Sequence, residues 1–339
     1  TVDGGHITYT PIAEKYLLQF GATAYTLTYD KEVYRTDSLS IAFRGQRQTM
    51  ASIDMHTGIS IFSASVEFAR MIGDFHSSNA LTANLLAAPL PSWEITLNYR
   101  NLPQDFVSPF GGTFGLNSSD AQNERGWYLA SKMEAIADRL WIYGAANFST
   151  SKNNLRSDVR YTDIIFGSEY HPVSLPVQLI LTGRNYSRGP AFTLSDDSLS
   201  KRSLRIDMKS EISKTIHLVL RSELQRTYSV TKNVSEGGYL AGLKLRYAPV
   251  KGLSVAGGIA YYSTDSYASR FYSNESDLPG SVPFVALYGK GYRYYLVAGY
   301  NFLDAATLSA RIAESRYAPN SSTAEVQKTI VGMQIDMGF

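Results

Sequence analysis

Four groups of residues in this 339-residue chain have types and spacing that could do chemistry. The first is Phe75-His76-Ser77-Ser78-Asn79. A histidine two residues from a serine can take the hydroxyl proton and make a nucleophile, with an asparagine to orient the ring. No second Ser or Asp motif supports the pair, so a polar turn explains it, and no catalytic residue is expected. The second is Asp265, Glu275 and Asp277. Three carboxylates in one loop could hold calcium, but they lack the spacing of an EF-hand. A solvated loop is expected, with no metal and no cofactor. The third is Tyr288–Tyr295, YGKGYRYY. Base and aromatics together can stack nucleic acid, yet an aromatic girdle at a membrane–water interface uses the same residues. The girdle is the reading adopted, and nucleic acid is not expected as a partner.

The fourth group is the largest. Arg100, Lys132, Arg184, Arg205, Asp207, Lys209, Glu211, Arg221, Glu223, Lys244, Arg246, Arg293, Arg311 and Lys328 each stand in a segment that alternates charged with apolar residues. Glu67, Glu94, Glu134, Glu169 and Asp336 fall on the same phase. A strand sends alternate side chains to opposite faces. In Leu204–Ile212, Leu204, Ile206, Met208 and Ile212 therefore oppose Arg205, Asp207, Lys209 and Glu211. In Ile216–Gln225, Ile216, Leu218, Leu220 and Leu224 oppose His217, Arg221, Glu223 and Gln225. Two readings of the charged face stand side by side: a pore wall that selects solutes, or a lumen cross-braced by ion pairs that conducts nothing. Opposite signs on adjacent strands favour bracing around Asp207.

The elements that position these charges are strands. The last, Glu325–Phe339, sets Val331, Met333, Ile335, Met337 and Phe339 against Lys328, Gln334 and Asp336. Connections alternate between short turns (IAEK, PLPS, ADR, VSLP, SKT, PVKG, LDAA) and longer polar loops, as in outer-membrane barrels. Aromatics are abundant, with 24 Tyr, 15 Phe and 3 Trp, which suits strands and membrane interfaces. No cysteine is present, excluding a disulfide scaffold and thiolate metal sites. Net charge is +2, too small for a general attraction to polyanions. No apolar run reaches the roughly 18 residues of a spanning helix. The fold expected is all-β, a transmembrane antiparallel up-and-down β-barrel of about 16 strands covering residues 16–339. The count includes Ser38–Arg44 and takes Thr49–Met71 as one long strand. Residues 1–15 are expected to end a strand from a truncated or processed region.

Two stretches resemble a known family. One is YRNLPQDFVSPFGGTFGLNSSDAQNERGWYLA, Tyr99–Ala130; the other is YYSTDSYASRFYSNESDLPGSVPFVALYGKGYRYYLVAGY, Tyr261–Tyr300. They look like the barrel region of outer-membrane proteins of Bacteroidota and Chlorobi-type bacteria. Members often carry an N-terminal helix-hairpin-helix segment and a competence- or DNA-uptake-like label. The resemblance spans roughly residues 90–339 and implies an outer-membrane location in a Gram-negative bacterium. The terminal aromatic, Phe339, resembles the signal read by the barrel-assembly machinery, and the His76-x-Ser78 spacing resembles that of outer-membrane phospholipases. The function expected is a non-enzymatic pore or passage for solutes or macromolecules, surrounded by outer-membrane lipid and lipopolysaccharide. The alternatives are a docking subunit of an envelope complex with a plugged lumen, and an outer-membrane hydrolase. Both long loops, Leu102–Asn123 and Ser263–Lys290, carry aromatics (Phe106, Phe110 and Phe114 in the first), and are expected to be ordered and to narrow the opening.

Overall fold

The computed structural model describes residues 1–11, 16–33, 45–108, 123–152, 158–190, 198–230, 232–281, 284–303, 306–319 and 325–337. Every regular element among them is a strand: β1 (Val2–Tyr9), β2 (Tyr16–Val33), β3 (Gly45–Ile59), β4 (Phe62–Gly73), β5 (Ser77–Leu90), β6 (Trp93–Leu102), β7 (Glu124–Ile136), β8 (Leu140–Lys152), β9 (Asp158–Tyr170), β10 (Val177–Pro190), β11 (Leu199–Ser213), β12 (Ile216–Ser229), β13 (Val234–Val250), β14 (Leu253–Thr264), β15 (Phe271–Asn274), β16 (Phe284–Leu287), β17 (Lys290–Leu303), β18 (Ala306–Ala318) and β19 (Val326–Met337). Seventeen belong to one sheet, and β15 and β16 form a separate two-stranded one.

The chain divides into two compact units. Unit 1 is Thr1–Ala135 with Ile142–Ile165 and Tyr186–Leu199; unit 2 is Ile136–Trp141 with Phe166–Asn185 and Ser200–Phe339. In unit 1, β1 to β7 pair antiparallel in chain order. In unit 2, β12, β13 and β14 pair in order, β14 then pairs β17, and β18 and β19 follow. The β15–β16 hairpin is set into the β14–β17 connection. Chain-order antiparallel pairing with alternating faces is the up-and-down barrel architecture.

Two stretches differ from the sequence reading: Ser263–Lys290, read as a loop, holds the β15–β16 hairpin, and Thr49–Met71 is not one strand. Thr49–Met71 is a hairpin, β3 and β4, with Gly58 opposite Ser63 and Ile59 opposite Phe62. Its turn has no Gly, Pro or Asn; Ser60 adopts the left-handed conformation (φ 50°) instead. The GHITYTP stretch, read as the end of a strand, contributes Gly5–Tyr9 to β1, which pairs β2 from Val2↔Leu27 to Tyr9↔Phe20. The main sheet thus holds sixteen strands from Tyr16 onward among the described residues. Ser38–Arg44 and the IAEK turn lie outside them.

The apolar face is the exposed one. Leu204, Ile206, Leu220, Leu224, Leu245, Ile259, Leu296 and Ile312 are exposed large hydrophobics, and Val331 of β19 is 74% exposed. Leu218 and Leu243 are half-buried on that face, paired with Leu245 and Leu220. An apolar surface this extended is not stable in water. A strand-only structure crosses a bilayer only as a barrel, because lipid cannot satisfy an open backbone edge. The chain is an outer-membrane β-barrel. The opposite, polar face holds Arg100, Glu124, Asp207, Arg293 and Arg311 buried, and Glu275 of the β15–β16 connection is buried against it.

Candidate functional site: a polar face covered by inward-folded segments

In unit 2 the described residues 265–281 and 284–288 fold over the polar face. Its apolar anchor is Phe271 and Leu287, one from each strand of the hairpin, packed with Leu240 of β13 and Tyr262 of β14. Gly238 of β13 makes the room: a Cβ there would stand 3.0 Å from the Phe271 ring. Polar face residues then hold the segment's backbone. Gln225 Nε2 donates to the carbonyls of Ser269 and of Arg270 (3.0 Å for the second), Lys201 Nζ reaches Arg270 O at 3.4 Å, and Lys244 Nζ donates to Asn274 O.

The tightest part is ionic. Glu275, 6% exposed, accepts from Arg293 Nε, from Arg293 Nη2 at 2.8 Å and from Arg311 Nη2 at 3.1 Å. Arg311 Nη1 donates to Asp277 Oδ2 at 2.8 Å. Two carboxylates of the loop thus face two guanidiniums of the wall, in the fork geometry that suits carboxylate best. The sequence reading had Glu275 and Asp277 in a solvated loop; burial against Arg293 and Arg311 corrects this. Asp265 accepts from the backbone N–H of Gly237 at 2.6 Å. The described residues hold no His, Cys, Asp or Glu group fit for a metal ion.

Beside this lock lies a second cluster. Asp207 accepts from Arg221 Nε at 2.7 Å, and Arg205 Nε stands 2.9 Å away, off the hydrogen-bond line. Glu223 is half-buried near both arginines and Lys201. Lys244 is half-buried, while Arg184, Lys209, Glu211 and Arg246 are exposed.

In unit 1 the start of the first long loop folds in the same way, by other means. Phe106 is 2% exposed among Met50, Ala69, Met71, Ala80 and Leu102. Gln48 Nε2 donates to Val107 O. His76 Nε2 bonds Asp105 O at 3.0 Å, and Ser78 Oγ donates to Asp105 Oδ1 at 2.8 Å. The His76 ring and the Ser78 hydroxyl are thus both spent on Asp105. Nearby, Arg100 of β6, 0% exposed, donates through Nε to Glu124 Oε1 at 2.6 Å and through Nη2 to Asn147 Oδ1 at 2.7 Å. Lys132 is exposed and paired in register with Glu94. Lys328 of unit 2 is exposed and opposite Ser315. Phe110, Phe114 and Phe339 lie outside the described residues.

The aromatic stretch splits by parity. Arg293 and Tyr295 are buried on the polar face, while Tyr292 and Tyr294 stack at 6.4 Å on the other. The lock itself was missed in the sequence. Its signal was two carboxylates two residues apart in a loop, facing unmatched arginines on the strands that follow.

No protein-family model matches the chain, and no curated protein matches it. Among solved structures, the chain is similar to the outer membrane channel DcaP of Acinetobacter baumannii at 10% identity and a TM-score of 0.46, covering 99% of this chain and 97% of that one. OmpT, an outer membrane protein of Vibrio cholerae, gives 10% and 0.45, covering 85% and 98%. The ferric-catecholate import receptor Fiu of E. coli K12 gives 10% and 0.48, covering 99% of this chain and 62% of that one. At these scores they carry no argument about what this chain does.

Proposed function

We propose that the chain is a non-enzymatic passage for solutes across the outer membrane, with a polar path narrowed by the Asp265–Tyr288 segment. The observation that carries this is the lock of Glu275 and Asp277 on Arg293 and Arg311. It holds a loop against the charged wall, where it limits cross-section and presents charge to whatever passes. Outer-membrane lipid and lipopolysaccharide surround the apolar face in this reading, and the barrel-assembly machinery inserts the chain. The likeness to helix-hairpin-helix barrels of Bacteroidota belongs to the proposal too, supported by the motifs at Tyr99–Ala130 and Tyr261–Tyr300.

The same ion pairs support a second reading, a docking subunit whose lumen is plugged, because neutralised arginines need not meet a solute. Planar-bilayer conductance separates the two. The passage reading expects measurable conductance from the wild-type barrel. It also expects a higher single-channel value when 271–287 is replaced by a short Gly-Ser linker. Background conductance from both proteins would remove the passage and leave the plug.

A further inference from the structure

The polar face of unit 2 is neutralised unevenly. Under the hairpin, Arg293 and Arg311 share Glu275 and Asp277, and Arg205 and Arg221 share Asp207. Toward the SKT and PVKG turns the balance changes. Neither Lys209 of β11 nor Arg246 of β13 enters an ion pair among the described residues, and Lys244 donates to the carbonyl of Asn274 while the carboxylates that attract it, Glu275 and Asp207, are already paired with arginines. These three cations line one cleft of about 800 Å3. Its wall includes Tyr295 and Ser276, the latter from the inward-folded segment, and His217. The carboxylate in the lining is Glu211, whose side chain is 79% exposed and stands 3.5 Å from His217 Nδ1.

We propose that this cleft binds a compact dianion, of the phosphate or dicarboxylate class. Lys244 and Arg246 lie on one face of β13, two residues apart, so their stems are about 7 Å from each other. Lys209 adds a third positive group from β11. A ligand with two negative ends answers such a pair, whereas a monovalent anion answers one. Three cations gathered in a cleft with one exposed carboxylate, Glu211, repel one another, and a bound dianion relieves that repulsion. The volume falls within the range of small-molecule sites. The floor at Ser276 and Tyr295 puts the site against the narrowing segment, so a bound anion would wait at the constriction. As the solute class of the passage, this rests on the reading above; as a binding site it does not need conductance.

The test is isothermal titration of the detergent-solubilised, full-length chain, in chloride buffer at pH 8, with inorganic phosphate and separately with succinate. Saturable binding is expected, weakened about ten-fold or more in K209Q/R246Q. Lys290→Gln, a cation outside the cleft, should bind as wild type. Heat-modified gel mobility reports whether each variant is folded. If the double variant does not fold, Lys209→Gln alone, an exposed position, should still weaken binding. Binding of phosphate alone makes this an oxyanion site, and binding of both probes makes it a site for paired charge. Absence of saturable binding by either, or unchanged binding in the folded variants, overturns the proposal. Conductance without dianion binding leaves the passage and removes the site; dianion binding without conductance does the reverse.

Discussion

The two inward-folded segments solve one problem with opposite physics. In unit 1, the stretch after Leu102 is held by Phe106 in a pocket of methionines, alanines and a leucine. In unit 2, Glu275 and Asp277 are held by Arg293 and Arg311. Both lie on the face the strand alternation assigns to polar residues, which is why Met50, Met71 and Leu240 sit there against the general pattern. An apolar anchor loses little when solvent ions change. An ionic anchor is strong only while both partners stay paired, because one buried charge left alone is costly. The first should therefore behave as a fixed part of the wall, and the second as a part that releases.

The largest effect is expected from breaking the ionic anchor. Glu275→Gln leaves Arg293 without its carboxylate and Arg311 with one of two, at a cost of about 3–5 kcal/mol. Limited proteolysis of the folded protein should cut between Asp265 and Tyr288 far faster than in wild type. Replacing Arg293 by Met in the same chain should recover part of the protection, since no buried charge is then stranded. Equal protection in wild type and Glu275→Gln would mean the hydrophobic pair Phe271 and Leu287 holds the hairpin alone.

Phe106→Ala should cost about 3 kcal/mol, the lower end for a buried Phe, because the ring packs against one wall rather than a closed core. The expected signature is faster cleavage near 103–108, unchanged between low and high salt. A strong salt dependence would erase the contrast between the segments.

Leu220→Arg probes the side both segments turn away from. Leu220 is exposed and paired with Leu243. An arginine there should lower barrel stability by about 2 kcal/mol in urea-driven unfolding from lipid vesicles. A neutral result would place this face against something other than lipid.

The smallest effect concerns a loop end of unit 1. Asp74 accepts from the backbone N–H of Gln46 at 2.7 Å and of Arg47 at 3.0 Å. These bonds hold its carboxyl below the usual aspartate range. Gly45, at φ 125°, brings the chain close, and a Cβ there would meet Asp74 Oδ2 at 2.6 Å. A lowered carboxyl pKa stabilises the fold above the ordinary value near 4, and that contribution is lost as pH falls below it. The protection of the Gln46 and Arg47 amides against hydrogen exchange, taken relative to the intrinsic rate at each pH, should therefore fall on acidification and in Asp74→Asn, with no change at Phe106. Loss of Phe106 burial under the same conditions would tie the β4–β5 turn to the apolar anchor.

Much of the architecture could be read from the chain alone. Alternation is a local property: side chains two residues apart share a face whatever the strand pairs with. That is why Leu204 and Asp207 could be assigned opposite faces, and why β19 could be read as two-faced. Short turns with a polar, Gly or Pro break were legible for the same reason, while the Ser60 turn was not, because Ile59, Ile61 and Phe62 run through it without such a break. The tertiary structure alone decided which charges meet. Asp207 could be placed near Arg221 because they lie on neighbouring strands, but Glu275 reaches Arg311 across 36 positions only through the path of a folded loop. Which cations remain unpaired, Lys209 and Arg246 among them, follows from where that loop comes to rest, a matter of packing that no local pattern encodes.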